Sequence, residues 1–118
     1  MDMNGNIRML SEAIEKEFVW KCSDQRGGFF IPVSQMHTKH LFYTWLMIWN
    51  HAAPVELRIW FNHPYVFDPF YTKEYMLEAF RSMYFELKKR TDIGFKMREV
   101  ITRIEANYCN TIYKKVLE

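Results

Sequence analysis

The segment from Leu41 to Trp49 constrains the fold more than any other part of this 118-residue chain. It is predicted to lie in a helix that starts near Ser34 or Thr38 and ends near His51. In this helix Leu41, Trp45 and Ile48 form one apolar stripe, and Phe42, Met47 and Trp49 make other faces apolar too. They cover nearly every face, and a helix of that kind is either central in its protein or covered by a partner.

A further helix is predicted to begin after Thr72, which can cap it, with Glu74 in its first turn. The basic run at residues 88–90 suits the negative end of the helix dipole. Residues at helical spacing predict the buried stripe, which consists of Met76, Phe80, Met83 and Leu87. Residues 52–71, between this helix and the previous one, are broken by Pro64 and Pro69 and are predicted to be mostly an irregular connection.

The C-terminal part of the chain predicts a long helix after a turn at Asp92 and Gly94. Its apolar residues in register are Met97, Ile101, Ile104, Tyr108 and Ile112. About 25 residues at 1.5 Å each give a helix of roughly 37 Å, which is long for a domain of this size. The end of this helix is therefore expected to project or to pack against a second copy in a homodimer.

The N-terminal part predicts a helix over residues 6–18 followed by a β-hairpin. The hairpin strands are predicted at Phe18–Cys22 and Phe29–Ile31. Pro32 cannot donate to a strand ladder, so the second strand either ends there or lies at an edge of the sheet. The whole chain, residues 1–118, is predicted to form a single domain. Its fold class is α+β and mostly helical, with one β-hairpin packed against three to four helices and a long C-terminal helix.

The charge balance argues against a dedicated nucleic-acid clamp. The chain carries 16 Lys and Arg against 14 Asp and Glu, a net charge of +2, whereas such a clamp has a clearly basic face. Residues 81–118 hold nine basic and five acidic side chains. That mild excess is typical of a solvated helix face.

The lack of a recognisable targeting signal and the cysteine usage together predict a cytoplasmic protein. Cys22 and Cys109 are the two cysteines and lie far apart, which is typical of reduced thiols rather than of a disulfide framework. The N-terminus lacks the apolar region of a signal peptide. The apolar run at residues 41–49 is shorter than the roughly 20 residues that span a bilayer.

Candidate catalytic and metal-binding residues are few. His37 and His40 could bind zinc with Cys22 or Cys109, but a structural zinc site normally uses two tight ligand pairs and no second pair exists. A histidine that bonds a nearby carbonyl is the simpler interpretation. The chain has no nucleophile elbow, phosphate loop or metalloprotease motif. We therefore predict no enzyme activity, no cofactor and no metal.

Aromatic residues make up 18% of the chain and concentrate between Trp60 and Tyr75. This stretch either folds back to fill the core or forms a recognition surface, because interface hot spots favour Trp, Tyr and Arg. The negative charges of Asp68 and Glu74 balance the positive charge of Lys73. This lack of a basic excess favours a protein partner over nucleic acid. The predicted partner-binding residues are Arg58, Trp60, Phe61, His63, Tyr65, Phe67 and Tyr71.

A recurring pattern covers roughly residues 19–90. A Trp and a Gly bracket a hairpin, an Ile, a Met and a His-Leu pair open a helix, and a later Tyr-containing helix ends in Glu-Leu and a basic cluster. In this chain these residues are Trp20, Gly28, Ile31, Met36, His40, Leu41, Tyr75, Glu86, Leu87 and Arg90. The pattern resembles small bacteriophage accessory proteins of unknown function, which often have Asn at the position of Tyr43. The resemblance implies a phage protein acting in the bacterial cytoplasm, where such proteins commonly bind and inhibit host machinery, including defence systems.

The leading hypothesis is a non-catalytic interaction protein that inhibits a host bacterial protein by occlusion. One alternative is a nucleic-acid-binding module that uses the basic C-terminal helices. Its residues would be Lys88, Lys89, Arg90, Lys96, Arg98 and Arg103. A second alternative is an oligomeric sponge for nucleotides or other small molecules, with aromatic pockets.

Overall fold

The computed structural model describes residues 17–22, 28–61 and 66–107, and the chain divides into two compact units, Met1–Met36 and His37–Glu118. The described secondary structure is mostly α-helical with one antiparallel hairpin, which confirms the predicted α+β class. Among the described helices, none combines the length and the apolar character needed to cross a membrane.

The first unit contains a two-stranded antiparallel sheet formed by β1, Val19–Cys22, and β2, Phe29–Pro32. The second strand ends at Pro32, as predicted. Gly28 has a φ of +102°, and a Cβ atom there would lie 2.5 Å from the Cys22 carbonyl oxygen, so only glycine fits.

Most of the predicted first helix, residues 6–18, lies outside the described residues. Glu17 and Phe18 are described and are not helical. The Phe18 carbonyl oxygen accepts a hydrogen bond of 3.0 Å from the Val33 N–H, which extends the hairpin pairing by one step. This pairing with a distant residue takes Phe18 out of the predicted helix.

The second unit is arranged around helix α1, Thr38–Ala52, which confirms the later of the two predicted start points. Ser34 lies instead in a 3₁₀ turn, Val33–Gln35, that ends the first unit. The buried apolar residues of α1 are Leu41, Phe42, Trp45, Leu46, Ile48 and Trp49. They lie on several faces of the helix, in agreement with the predicted apolar character of nearly all its faces.

Helix α2, Lys73–Lys89, packs against α1 through a cluster of aromatic rings. The Phe80 ring stacks on Trp45 at 5.2 Å and on Trp49 at 6.1 Å between ring centroids. The Trp45 Nε1–H also donates to the Phe80 carbonyl oxygen at 3.2 Å. The whole predicted stripe of α2 is buried, namely Met76, Phe80, Met83 and Leu87.

Helix α3 is described over Phe95–Asn107. Val100, Ile101 and Ile104 are buried and Met97 is half-buried, which confirms the predicted register for the described part of the helix. Residues 108–118 lie outside the described residues, and with them Tyr108, Ile112 and the helix end on which the homodimer prediction depends.

Replacing Thr72 with Ala is expected to lower the free energy of unfolding by about 1 kcal/mol. The Thr72 Oγ1 accepts a 3.1 Å hydrogen bond from the Tyr75 N–H, one of the donors that α2 cannot satisfy internally. Urea denaturation measures the loss, and Thr72→Ser, which keeps the hydroxyl, is the matched control. Equal losses in the two variants would show that the hydrogen bond is not what Thr72 contributes.

Candidate functional site

Asn50 fixes the connection that follows α1. It is a polar residue only 2% exposed, and its side-chain amide pairs with both backbone groups of Ile59. The Asn50 Oδ1 accepts from the Ile59 N–H at 2.9 Å, and the Asn50 Nδ2 donates to the Ile59 carbonyl oxygen at 3.0 Å. Ile59 itself is buried. These two hydrogen bonds hold the backbone of Ile59 against α1 and so fix the position from which the chain continues to Trp60.

Two more side chains hold the same connection, which contains a short 3₁₀ turn at Val55–Leu57. The Trp49 Nε1–H donates to the Leu57 carbonyl oxygen at 2.9 Å. The Arg58 Nε–H donates to the Ala53 carbonyl oxygen at 3.2 Å. Arg58, predicted as a partner-binding residue, therefore has a structural hydrogen bond within the connection.

Trp60 lies at the centre of a tight reversal of the backbone. Its φ is +67°, and the Phe61 N–H donates to the Ile59 carbonyl oxygen at 2.8 Å, two residues back. A γ-turn with positive φ is rare and strained, and a non-glycine residue in this region costs on the order of 1–3 kcal/mol. The strain is sustained because Asn50 holds Ile59 on one side of the turn.

The turn directs the Trp60 side chain outward instead of into the core. Its ring is 50% exposed and lies beside Phe42, at 5.9 Å, and Tyr43, at 6.4 Å between ring centroids. Phe42 is fully buried, whereas Tyr43 is exposed. The two exposed rings thus form a continuous aromatic surface that rests on a rigid core residue.

A groove of about 520 Å³ opens beside these rings. Its lining residues are Tyr43, Trp60, Lys96, Glu99, Val100 and Arg103. The last four follow one another at positions i, i+3, i+4 and i+7 of α3, so they share one face of that helix. The groove therefore has an aromatic wall from the α1 side and a charged wall from α3, with buried Val100 between the charges.

The cations of this groove differ from Lys88 and Arg90, which are paired with carboxylates. The Lys88 Nζ lies 3.2 Å from the Glu105 carboxylate, and the Arg90 Nε lies 2.9 Å from the Glu86 carboxylate. Within residues 17–22, 28–61 and 66–107, neither Lys96 nor Arg103 forms an ion pair. Both are exposed, so their charges are available to a bound molecule.

The predicted partner-binding residues are divided between the groove and a second cluster. Trp60 lines the groove, and Phe61 beside it is half exposed. Phe67 and Tyr71 are half-buried and contact each other at 5.2 Å, and Tyr71 also contacts Phe70 and Tyr75. His63 and Tyr65 lie outside the described residues. The aromatic stretch thus contributes both an exposed surface and internal packing.

The predicted basic residues are likewise not gathered on one surface. Lys96 and Arg103 line the groove with Trp60, while Lys88 and Arg90 are paired with carboxylates. Lys88, Arg90 and Arg98 line a smaller cavity of about 250 Å³. Its apolar lining residues are Leu87, Ile93 and Ile101. Lys89 is exposed at the end of α2 and belongs to neither cavity.

The histidines considered for zinc have no described metal-binding surroundings. In the part of the chain that the structure describes, no group of three or more His, Cys, Asp or Glu side chains is placed to hold a metal ion. Cys109, one of the candidate ligands, lies outside that part. His37 lies in the extended conformation before α1 and makes no side-chain cap bond to the helix.

Sequence reasoning missed Tyr43, Asn50, Glu99 and Val100. Asn50 carried a usable signal, because an amide within a helix that is apolar on nearly every face must satisfy its hydrogen bonds when buried. Tyr43, Glu99 and Val100 carried none. Their importance depends on which residues of a distant segment lie opposite them.

Comparison with known proteins identifies no relative. The chain matches no protein-family profile, no curated protein and no solved structure. The groove and its chemistry are therefore the basis on which a function can be proposed.

Proposed function

We propose that this chain is a non-catalytic interaction protein that binds a partner protein through the groove beside Trp60. The observation that supports this most is the strained turn that holds a half-exposed Trp60 ring outside the core. Strain of this kind is characteristic of binding surfaces, where a side chain must be held in a conformation that the local sequence does not favour. Tyr43 and Arg103 line the same groove. Trp, Tyr and Arg are the residue types most enriched in binding hot spots.

The mixed charge of the groove favours a protein partner. Lys96 and Arg103 are accompanied by the Glu99 carboxylate, and two other predicted cations are already paired with carboxylates. A nucleic-acid surface gains its affinity from several unpaired cations along the phosphate backbone. Nucleic acid remains the second candidate because exposed rings beside Lys96 and Arg103 could stack on bases.

Occlusion is the mechanism that this surface supports. A binding protein without catalytic groups acts by covering a surface that its partner needs, and rigid aromatic anchors bury large areas at low rotamer cost. The resemblance to small bacteriophage proteins makes a bacterial host protein, such as one of a defence system, the expected partner in the bacterial cytoplasm.

Replacing Trp60 with Gly is expected to weaken partner binding by at least about 30-fold, which corresponds to the 2 kcal/mol typical of a hot-spot anchor. Glycine adopts a φ of +67° without strain, so the backbone turn is kept while the ring is removed. Because relief of the strain at φ +67° offsets the packing on Phe42 that the ring loses, the free energy of unfolding should change by less than about 1 kcal/mol. Affinity capture from bacterial lysate, followed by titration of the captured partner, measures the loss.

The matched control is Phe95→Ala, which removes an exposed aromatic ring that does not line the groove. It should retain the same partner at the same stoichiometry as the original protein. Capture of no stoichiometric partner, or equal capture by the Trp60→Gly variant, would contradict the proposal. Loss of binding in both variants would contradict a contact confined to the groove.

A further inference from the structure

We infer that the partner segment filling the groove is an acidic peptide segment, in which an Asp or Glu lies next to an aromatic or aliphatic residue. This inference rests on the proposed function, and it names the chemistry of the partner at that groove. Its basis is the separation of the groove into an aromatic wall, Tyr43 and Trp60, and a helix face that carries Lys96 and Arg103.

The two cations determine the sign of the expected partner group. Both are exposed and make no ion pair with the described carboxylates, whereas Lys88 and Arg90 on neighbouring surface do. Arg103 presents a planar guanidinium that matches a carboxylate with two parallel hydrogen bonds, and Lys96 adds a point charge. They are seven positions apart in the helix, so they lie roughly 10 Å apart along its axis. A short peptide segment spans that distance.

The aromatic wall, Tyr43 and Trp60, determines which side chain of the partner must lie next to its carboxylate. The Trp60 and Tyr43 rings lie 6.4 Å apart and are tilted by 47° to each other, both residues are about half exposed, and they line the groove together with the buried Val100. An apolar side chain placed there would be desolvated between rings and Val100. A free carboxylate alone would leave this surface uncovered, so the partner group is a peptide segment rather than a simple anion.

Glu99 distinguishes a peptide from a phosphate backbone. Its carboxylate lies on the same helix face, one turn from each cation, and would repel any anionic group held midway between Lys96 and Arg103. A peptide can place a single carboxylate on one cation and meet Glu99 with a backbone N–H, a hydroxyl or a basic side chain, whereas a phosphate backbone carries a negative charge on every unit. The alternation of charge along α3 therefore selects against a uniformly anionic chain.

The test is selection from a display library of random short peptides on three immobilised proteins. These are the original protein, Trp60→Gly, and the double variant Lys96→Glu/Arg103→Glu. The original protein should enrich peptides with Asp or Glu beside Trp, Tyr, Phe or Leu. Those peptides should bind the double variant at least about 10-fold more weakly, as expected for the loss of charge-assisted hydrogen bonds. The double variant should itself enrich peptides with Lys or Arg in place of the acid.

The matched control is Lys73→Glu/Lys89→Glu, which makes the same change in net charge at exposed positions outside the groove. It should bind the acidic peptides as the original protein does. Enriched peptides that lack acidic residues, or acidic peptides that bind the groove double variant unchanged, would overturn the inference while the proposed function stands. Identical peptides enriched on the original protein and on Trp60→Gly would contradict both.

A titration with single-stranded oligothymidine at low salt, followed by tryptophan fluorescence, completes the test. No saturable change is expected. Saturable quenching that is lost in Trp60→Gly would assign the groove to nucleic acid and overturn the acidic-peptide inference.

Discussion

Replacing Phe80 with Ala is expected to lower the free energy of unfolding by about 3–5 kcal/mol. The Phe80 ring is fully buried and stacks on both Trp45 and Trp49, so it joins α2 to the central helix α1. Removing the ring loses the free energy that is gained when it is transferred from water to the core. It also leaves a cavity, which the two rigid indole rings cannot fill by collapsing. A domain of this size is stable by only about 5–15 kcal/mol in total, so the variant should be marginal at room temperature.

Urea denaturation followed by far-ultraviolet circular dichroism measures this loss, and Phe85→Ala is the matched control. Phe85 lies on the same helix but is 43% exposed, with Arg81 over its ring at 5.3 Å. Its truncation should cost less than about 1 kcal/mol, because an exposed ring loses little on removal. Equal losses of unfolding free energy in the two variants would mean that the aromatic stack is not what stabilises the packing of α2 on α1.

Replacing Asn50 with Leu is expected to lower the free energy of unfolding by about 2–4 kcal/mol. Both side-chain bonds to Ile59 are lost, and the buried Ile59 N–H is left without its acceptor, at a cost of about 1–3 kcal/mol for that group alone. The Ile59 carbonyl oxygen keeps the Phe61 N–H as a donor. The turn at Trp60 should relax once Ile59 is released, so amide exchange of residues 57–61 should accelerate more than that of α2.

Asn107→Leu makes the same substitution on a helix where, among the described residues, the amide donates to the carbonyl oxygen of Arg103, four residues earlier, and the position is half-buried. It should change the free energy of unfolding by no more than about 0.5 kcal/mol. Unchanged exchange at residues 57–61 in Asn50→Leu would show that the turn does not depend on the side chain of Asn50.

Sequence reasoning predicted the helices and their buried stripes because those features depend on neighbouring residues. The spacing of Met76, Phe80 and Met83 is set by the helical period, and the Thr72 cap acts on a residue three positions away. Pro32 ends β2 for an equally local reason, the missing N–H. Each of these features can be deduced from a window of a few residues.

The aromatic stretch could not be interpreted in this way. The exposed position of Trp60 depends on a γ-turn that is held by Asn50, ten positions earlier, and no periodic pattern indicates such a turn. Phe67 and Tyr71, in the same stretch, are half-buried in their own cluster. Composition therefore drew attention to the stretch but did not indicate which of its rings are accessible.

The sequence by itself determined the elements of this protein, because helical period, caps and proline positions act over a few residues. Only the tertiary structure decided the site. It placed Trp60 and Tyr43 beside Lys96 and Arg103 of α3, and it paired other cations, such as Lys88 and Arg90, with carboxylates. The physical reason is that a groove depends on contacts between side chains far apart in the chain, and these contacts exist only once the core around Trp45, Trp49 and Phe80 has brought the helices together.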